Sequence, residues 1–430
     1  MGRADPRAAA AAALSFLFPG LGQAYNHRWH LAALLAAPMA LVVALAVAIA
    51  VADGRAGLSG LVDTKVLVAI VVLDVGLLGW RVVAILQAHT ERSRLSSRGW
   101  PRWLTAALVL LAVAMHAVPA IFALTAIETL SSVSLEGEGS AFGDRDADAV
   151  VMPRPSDQPE LGERITVLLV GIDLAPGRVQ QLTDTLLVAS LDPETGEAAM
   201  VSIPRDLYGV PLGDGRTYDA KLNSLLSTAS ADPITYPKGG PATLKAAIAE
   251  LLQTRIHYIA AIDMQGMRQL IDGIGGVDVV VERAIDDPRY RDALTGTRGF
   301  FIEAGPHHLD GETAMAYVRS RMAAGENDFT RAARQQQVLK AIAQKLAGGN
   351  LLLSLPTLLN TVRDNVSTDI PSARMSTVAA AVERADLDGI ENVVLTPDDG
   401  YVIVDAFSNA GYVLYPDLEA IRDMAARTFE

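Results

Sequence analysis

ITVLLVGID, residues 165–173, decides the fold class of the larger part of this chain. Ile165–Val170 is an apolar run of strand length without helical spacing, which reads as a strand buried on both faces. Gly171-Ile172-Asp173 ends it, leaving an acid at the strand end, where sites gather in α/β sheets. Working outward, Leu186–Leu191 and Ala198–Ile203 flank the turn sequence DPETG at 192–196 and read as a β-hairpin. Gly239-Gly240-Pro241 opens a helix over Ala242–Leu252. Tyr258–Ile262 and Val277–Val281 read as strands with Met264–Ile271 helical between them, Ala314–Arg321 as a further strand, and Thr330–Leu346 as a long helix. Strands interleaved with helices predict a layered α/β fold.

Toward the N-terminus the solvent changes. Half of the 430 residues are hydrophobic, and the excess lies before residue 130. Leu31–Val51 and Leu104–Ile127 are of a length that crosses a hydrocarbon layer as helices. Val66–Ala88 reads as a third span or as a segment lying at the interface; it is interrupted by Asp74 and Arg81, which lie seven apart and share a face suited to neighbouring helices rather than lipid. Arg92, Arg94, Arg98 and Arg102 in the loop between the second and third spans, with Arg3, Arg7 and Arg28 at the N-terminus, orient both segments to the cytoplasm. Three crossings then place everything after about residue 128 outside the cytoplasm. The broken apolar segment Ser15–Tyr25 reads as an interfacial helix or hairpin, and Ser131–Glu160, rich in small and acidic residues, as a linker. The expected organisation is a cytoplasmic or interfacial segment (1–30), a transmembrane region (31–127), a linker (128–162) and an extracytoplasmic domain (163–430).

Charge and composition exclude several functions. A net charge of −13 argues against nucleic acid as a partner, since phosphate backbones demand a basic face. The absence of cysteine excludes disulfides, thiolate nucleophiles and cysteine metal sites. Neither a Gly-x-Ser-x-Gly elbow nor a phosphate-cradling loop occurs. The pair His307-His308, in a Gly-Pro turn, reads as solvated rather than metal-binding.

What remains is an unusual distribution of arginines and acids. If Ala314–Arg321 is a strand, alternation puts Arg319 and Arg321 on one face, roughly 7 Å apart. Arg331, Arg334 and Gln335 are three or four apart on the following helix and share a face there. Asp328 answers one of these positive charges. A phosphate or diphosphate would answer the others, because guanidinium forks match its oxygens in pairs. Asp173 and Asp184 both stand at strand ends, and two carboxylates with diphosphate oxygens suit magnesium. Arg205, fixed behind Pro204, can point at the same place. Each feature alone also fits an ordinary surface: a solvated helix with scattered ion pairs, or aspartates in turns and caps.

In order along the chain, VLLVGID (Val167–Asp173), TDTLLVAS (Thr183–Ser190), VSIPRDLY (Val201–Tyr208), AKLNS (Ala220–Ser224), IDGIGGVDV (Ile271–Val279), HLDGETAMAYVRSR (His308–Arg321) and NDFTRAARQQ (Asn327–Gln336) resemble the LytR-CpsA-Psr family of cell-wall glycopolymer ligases. The likeness covers about 163–346, and more loosely the rest. It implies a three-layer α/β/α domain with a mixed sheet behind the membrane region. It also implies a membrane-anchored phosphotransferase that moves a glycan-phosphate from a polyprenyl diphosphate carrier to peptidoglycan. By matching position, Asp173 and Asp184 are the carboxylates that hold magnesium (or manganese). Arg205, Arg319, Arg321 and Arg331 are diphosphate or catalytic contacts with Gln335 beside them, and Asp328 orients arginines. Lys221, in the Ala220–Ser224 piece, and Arg334 are added as substrate contacts. The family places an arginine where this chain has Leu182; Arg178, four residues earlier behind Pro176-Gly177, either substitutes for it or is solvated, leaving the site one donor fewer. The general base is left open between Asp173 and Asp328. A lipid-binding regulator without turnover, or a diphosphatase, would use many of the same residues.

Overall fold

The computed structural model describes residues 6–53, 63–93, 100–133, 159–160, 162–173, 182–292, 294–347 and 361–429, in two compact units. The N-terminal unit is helical. Its long helices are Trp29–Asp53, Thr64–Ser93 and Trp100–Val133. Thr64–Glu91 and Trp100–Leu130 are long and apolar enough to cross a membrane, and Trp29–Ala44 is a shorter apolar stretch. The acid expected to seek a neighbouring helix does so, for Asp74 Oδ1 lies 2.7 Å from His116 Nδ1. Ser15–Tyr25 is packed within this unit rather than lying loose: helices Pro6–Leu17 and Leu21–Tyr25 are joined at Gly20 (φ 101°). There the fully buried Gln23 donates to Ala84 O and Gln87 Oε1, each at 2.8 Å. Most of the linker, and with it Arg178, lies outside the described residues.

The C-terminal unit is built on a six-stranded mixed sheet. Across it run Val366–Thr368, Tyr258–Asp263, β1 (Ile165–Asp173), β2 (Leu182–Leu191), β3 (Ala198–Ser202) and Glu391–Val394. β1, β2 and β3 are antiparallel neighbours, while β1 pairs parallel with Tyr258–Asp263 and β3 with Glu391–Val394. Both faces of β1 are covered, which is why its sequence is continuously apolar. Leu168, Val170 and Ile172 pack with Leu244, Ile248 and Leu251 of the Gly240–Leu252 helix and with Ile421 and Met424 of the C-terminal helix. Ile165 and Val167 face the other way, toward Tyr258 and Ala381 of the Ser372–Arg384 helix. The result is the expected three-layer α/β/α arrangement. Leu168 is fully buried, and its truncation to Ala would cost about 2–5 kcal/mol.

One element differs from expectation in a way that matters for the site. Ala314–Arg321 is not a strand: Gly311–Arg319 is a helix, capped by Asp310, whose side chain accepts from Thr313 N–H at 2.8 Å. Glu312 in its first turn and Arg319 in its last complement the helix dipole. Every residue from Ala314 to Val318 is buried, so the run is apolar all round, and periodicity cannot tell such a helix from a buried strand. His307 and His308, conversely, lie in a strand (Gly305–Leu309), where His308 Nδ1 meets Asp278 Oδ1 at 2.7 Å.

Candidate functional site

β1 and β2 do not run in simple register to their ends. Gly171 is opposite Thr185 and Ile172 opposite Thr183, so Asp184 is the extra residue of a β-bulge. Bulges re-aim side chains, and this one matters because regular alternation would send Asp184 to the core face with Leu186. Instead Asp184 joins Asp173 in the wall of a cleft of about 830 Å³. Gly171 also lines it, and a Cβ there would come within 2.9 Å of Thr185 Cβ. Leu182 stands opposite Asp173 in the same wall.

The cleft has two chemistries. Met264, Met267, Leu270, Met315, Val318, Val338 and Leu339 give it an apolar wall from three helices. Arg205, Arg319, Arg321, Arg331, Gln335, Asp173 and Asp184 line it as well, so most of the residues singled out in the sequence converge here. Arg319 and Arg321 reach it from either side of Ser320, where the helix ends, and not by strand alternation. Arg331 and Gln335, four apart, share the face of the Asp328–Ala347 helix that looks into the cleft.

Arg205 is the hub. Its Nη1 donates to Asp184 Oδ1 at 2.5 Å, its Nε lies 3.6 Å from Asp206 Oδ2 and its Nη2 3.9 Å from Asp328 Oδ1. Asp328 Oδ1 also meets Arg331 Nη1 at 3.0 Å, so it lies between two of the arginines. Burial works against the charge on Arg205, but Asp184, Asp328 and Asp206 outweigh it and hold its pKa above the ordinary value. Arg331 is the opposite case. Burial, with repulsion from Arg205 and Arg321, holds its pKa below the ordinary value despite Asp328 and Asp184. An anion bound between these guanidiniums would relieve that strain in charge.

Two expected substrate contacts stand elsewhere. Arg334 does not share the cleft face. Its Nη2 lies 2.8 Å from Glu326 Oε2 and donates to Ser320 O, and its guanidinium sits 5.3 Å from the centre of the Tyr317 ring. Its role is to brace the 320–327 loop. Lys221 meets Asp206 Oδ1 at 2.9 Å and so touches the cluster only through that carboxylate. Arg178 lies outside the described residues.

Asp287 is a residue that sequence reasoning missed. Its buried Oδ2 accepts from Ser320 Oγ at 2.8 Å and from the N–H groups of Arg321 and Met322 at 3.2 and 3.1 Å, which fixes the turn that aims Arg319 and Arg321. Nearby, burial pushes the phenol of Tyr290, another residue of the cleft wall, up to about 12, and its OH donates to Asp292 Oδ2 at 3.3 Å. The only sequence signal of Asp287 is Asp287-Pro288, an unremarkable turn pair in a hairpin that has no strong strand pattern.

Among the described residues no cluster of three or more His, Cys, Asp or Glu is placed to hold a metal. Asp173 and Asp184 offer carboxylate oxygens in one wall, which fits a hard cation that keeps waters and takes its other ligands from substrate oxygens.

Fold and site together define an α/β protein whose cleft joins an apolar wall to an arginine–carboxylate cluster. The chain belongs to the LytR_cpsA_psr family, whose model matches residues 135–428. It is 29% identical over 255 residues, 59% of this chain and 75% of the relative, to the polyisoprenyl-teichoic acid–peptidoglycan teichoic acid transferase TagU of Bacillus mycoides (strain KBAB4). It is 29% identical over 206 residues, 48% of this chain and 49% of the relative, to the transferase of the same description named TagV from Bacillus subtilis (strain 168). A crystal structure of B. subtilis TagV covers 62% of this chain and 98% of its own, with 26% identity and a TM-score of 0.49.

Proposed function

We propose that this chain is a membrane-anchored, extracytoplasmic phosphotransferase that moves a glycan-phosphate from a polyprenyl diphosphate carrier to a hydroxyl of peptidoglycan. The observation that carries the reading is the junction of the apolar wall with Arg205, Arg319, Arg321 and Arg331 in one cleft. The prenyl chain lies along the methionine-rich wall and the diphosphate meets the arginines, whose forks neutralise charge on the transferred group. The acceptor oxygen bonds to the glycan-phosphate phosphorus as the bond from that phosphorus to the bridging oxygen breaks. Polyprenyl phosphate leaves with the electron pair, and the acceptor proton passes to a carboxylate. Asp173 and Asp184 would hold magnesium, or manganese, which supplies further charge neutralisation at the diphosphate. The apolar helices of the N-terminal unit tether the domain at the bilayer, where such a carrier resides. The names of the relatives support a transferase of polyisoprenyl-linked glycopolymers.

Binding of a polyprenyl diphosphate glycan in detergent tests the reading. Affinity is expected to fall at least tenfold in Arg331→Ala and to fall also when the prenyl chain is cut to a few carbons. Binding indifferent to both changes would refute it.

A further inference from the structure

The arginine cluster has a second approach. A small depression of about 30 Å³ adjoins the cleft and shares Asp184, Arg205 and Arg331 with it. Asp206, Asp328 and Tyr412 line only the depression, whereas Asp173 lines only the cleft. Tyr412 belongs to the hairpin of strands Val402–Ser408 and Gly411–Pro416, and this hairpin is tied to the site through the backbone. Leu414 N–H donates to Asp206 O at 3.1 Å, and Leu207 and Leu414 form a parallel bridge. Tyr412 is therefore set in place relative to the residue that follows Arg205. It remains 42% exposed, and on the same hairpin Phe407 is 97% exposed. Burial, then the charges of Asp328 and Asp206, raise the Tyr412 pKa, which places its phenol in the field of those carboxylates.

We propose that this depression is the acceptor side of the site, receiving the attacking hydroxyl of a peptidoglycan sugar whose ring stays outside it against the half-exposed Tyr412, with Asp328 as the carboxylate that receives the hydroxyl proton. The proposal rests on the transferase reading. In-line displacement brings the attacking oxygen from the side of the phosphorus opposite the leaving group, and the depression reaches the shared arginines apart from the apolar wall assigned to the carrier. An uncharged polyhydroxylated ring needs an aromatic face for its C–H groups and acceptors for its hydroxyls, and the depression presents Tyr412 with the carboxylates of Asp184, Asp206 and Asp328. In balance, the hydroxyl oxygen bonds to phosphorus, its proton goes to Asp328, and the bond to the carrier phosphate breaks with its electrons leaving on that phosphate.

The test compares Tyr412→Ala and Tyr412→Phe in the full chain, measuring Kd for a polyprenyl diphosphate glycan and KM for a soluble peptidoglycan fragment. Tyr412→Ala is expected to raise the acceptor KM about tenfold, equivalent to ~1.4 kcal/mol, and Tyr412→Phe by far less, because the ring is kept. The donor Kd is expected to stay within about twofold in both, which also reports an intact fold. An unmoved acceptor KM, or a donor Kd that worsens in parallel, would overturn the acceptor assignment alone. A wild-type chain that binds no donor would overturn the transferase reading and this assignment with it.

Discussion

Arg205 Nη1 and Asp184 Oδ1 are 2.5 Å apart, joining the bulge in β2 to the segment that follows β3. The pair aims the guanidinium between cleft and depression while Asp206 and Asp328 flank its other nitrogens. Arg205→Ala leaves three carboxylates without this partner and removes an oriented donor. A fall in kcat/KM of about 10²–10³ is expected, the scale for one preorganised donor. Arg205→Lys should recover little, since an ammonium cannot bridge the same carboxylates as a fork. Steady-state transfer kinetics check both.

Arg334 and Arg321 should separate stability from turnover. The Arg334–Glu326 pair is buried on both sides, and Arg334→Met leaves the Glu326 carboxylate to the exposed Arg283 at 3.3 Å and the Thr330 hydroxyl at 2.7 Å. Losing the buried partner should cost less than the ~3–5 kcal/mol of a fully stranded charge, read as a clear drop in the midpoint of thermal unfolding. Arg321→Ala should leave the midpoint nearly unchanged while lowering kcat/KM by about 10². Reversal of these two outcomes would return Arg334 to the substrate.

This contrast also shows what the sequence makes legible. β1, the hairpin of β2 and β3 and the long helix from Asp328 are readable because burial on two faces, a DPETG turn and helical spacing leave local marks. The convergence of Arg205, Arg319, Arg321 and Arg331 is legible as an excess of like charge needing an anion. The route by which Arg319 and Arg321 meet is not, because a helix buried all round carries no periodicity. Arg334 shows the same limit. Spacing puts it near Arg331, but only tertiary contacts reveal that Glu326 and Ser320 take its nitrogens. Asp287 acts through backbone N–H groups more than thirty residues away, which no local pattern encodes.

Asp287 gives a pH signature. Burial raises its pKa, but hydrogen bonds from Ser320 and from the N–H groups of Met322, Arg321 and Arg289 outweigh burial and leave it below the ordinary value. A depressed folded pKa contributes stability that is present above the unfolded value of about 3.9 and is lost as pH falls through the lower folded value. The gap in unfolding midpoint between wild type and Asp287→Asn is therefore expected to be widest near neutral pH and to narrow below about pH 4. A gap that grows on acidification would contradict this account of the turn.

Asp184→Asn keeps shape and removes a hard anionic ligand. Magnesium-dependent turnover should collapse, with the unfolding midpoint falling by only a few degrees because Arg205 retains Asp206 and Asp328. Added magnesium should also raise the midpoint of the wild type but not of the variant. Equal turnover by the variant with and without magnesium would remove the metal from Asp184.

The most direct test of the whole account is product analysis with the purified full chain, a polyprenyl diphosphate glycan labelled in the sugar, and peptidoglycan fragments as acceptor. The transferase reading predicts label joined to peptidoglycan through a phosphodiester, one polyprenyl phosphate released per linkage, and loss of both products in Arg205→Ala. Labelled glycan phosphate free in solution with none on peptidoglycan would mean a diphosphatase, and bound donor that is never consumed would mean a binding protein; either result contradicts the account.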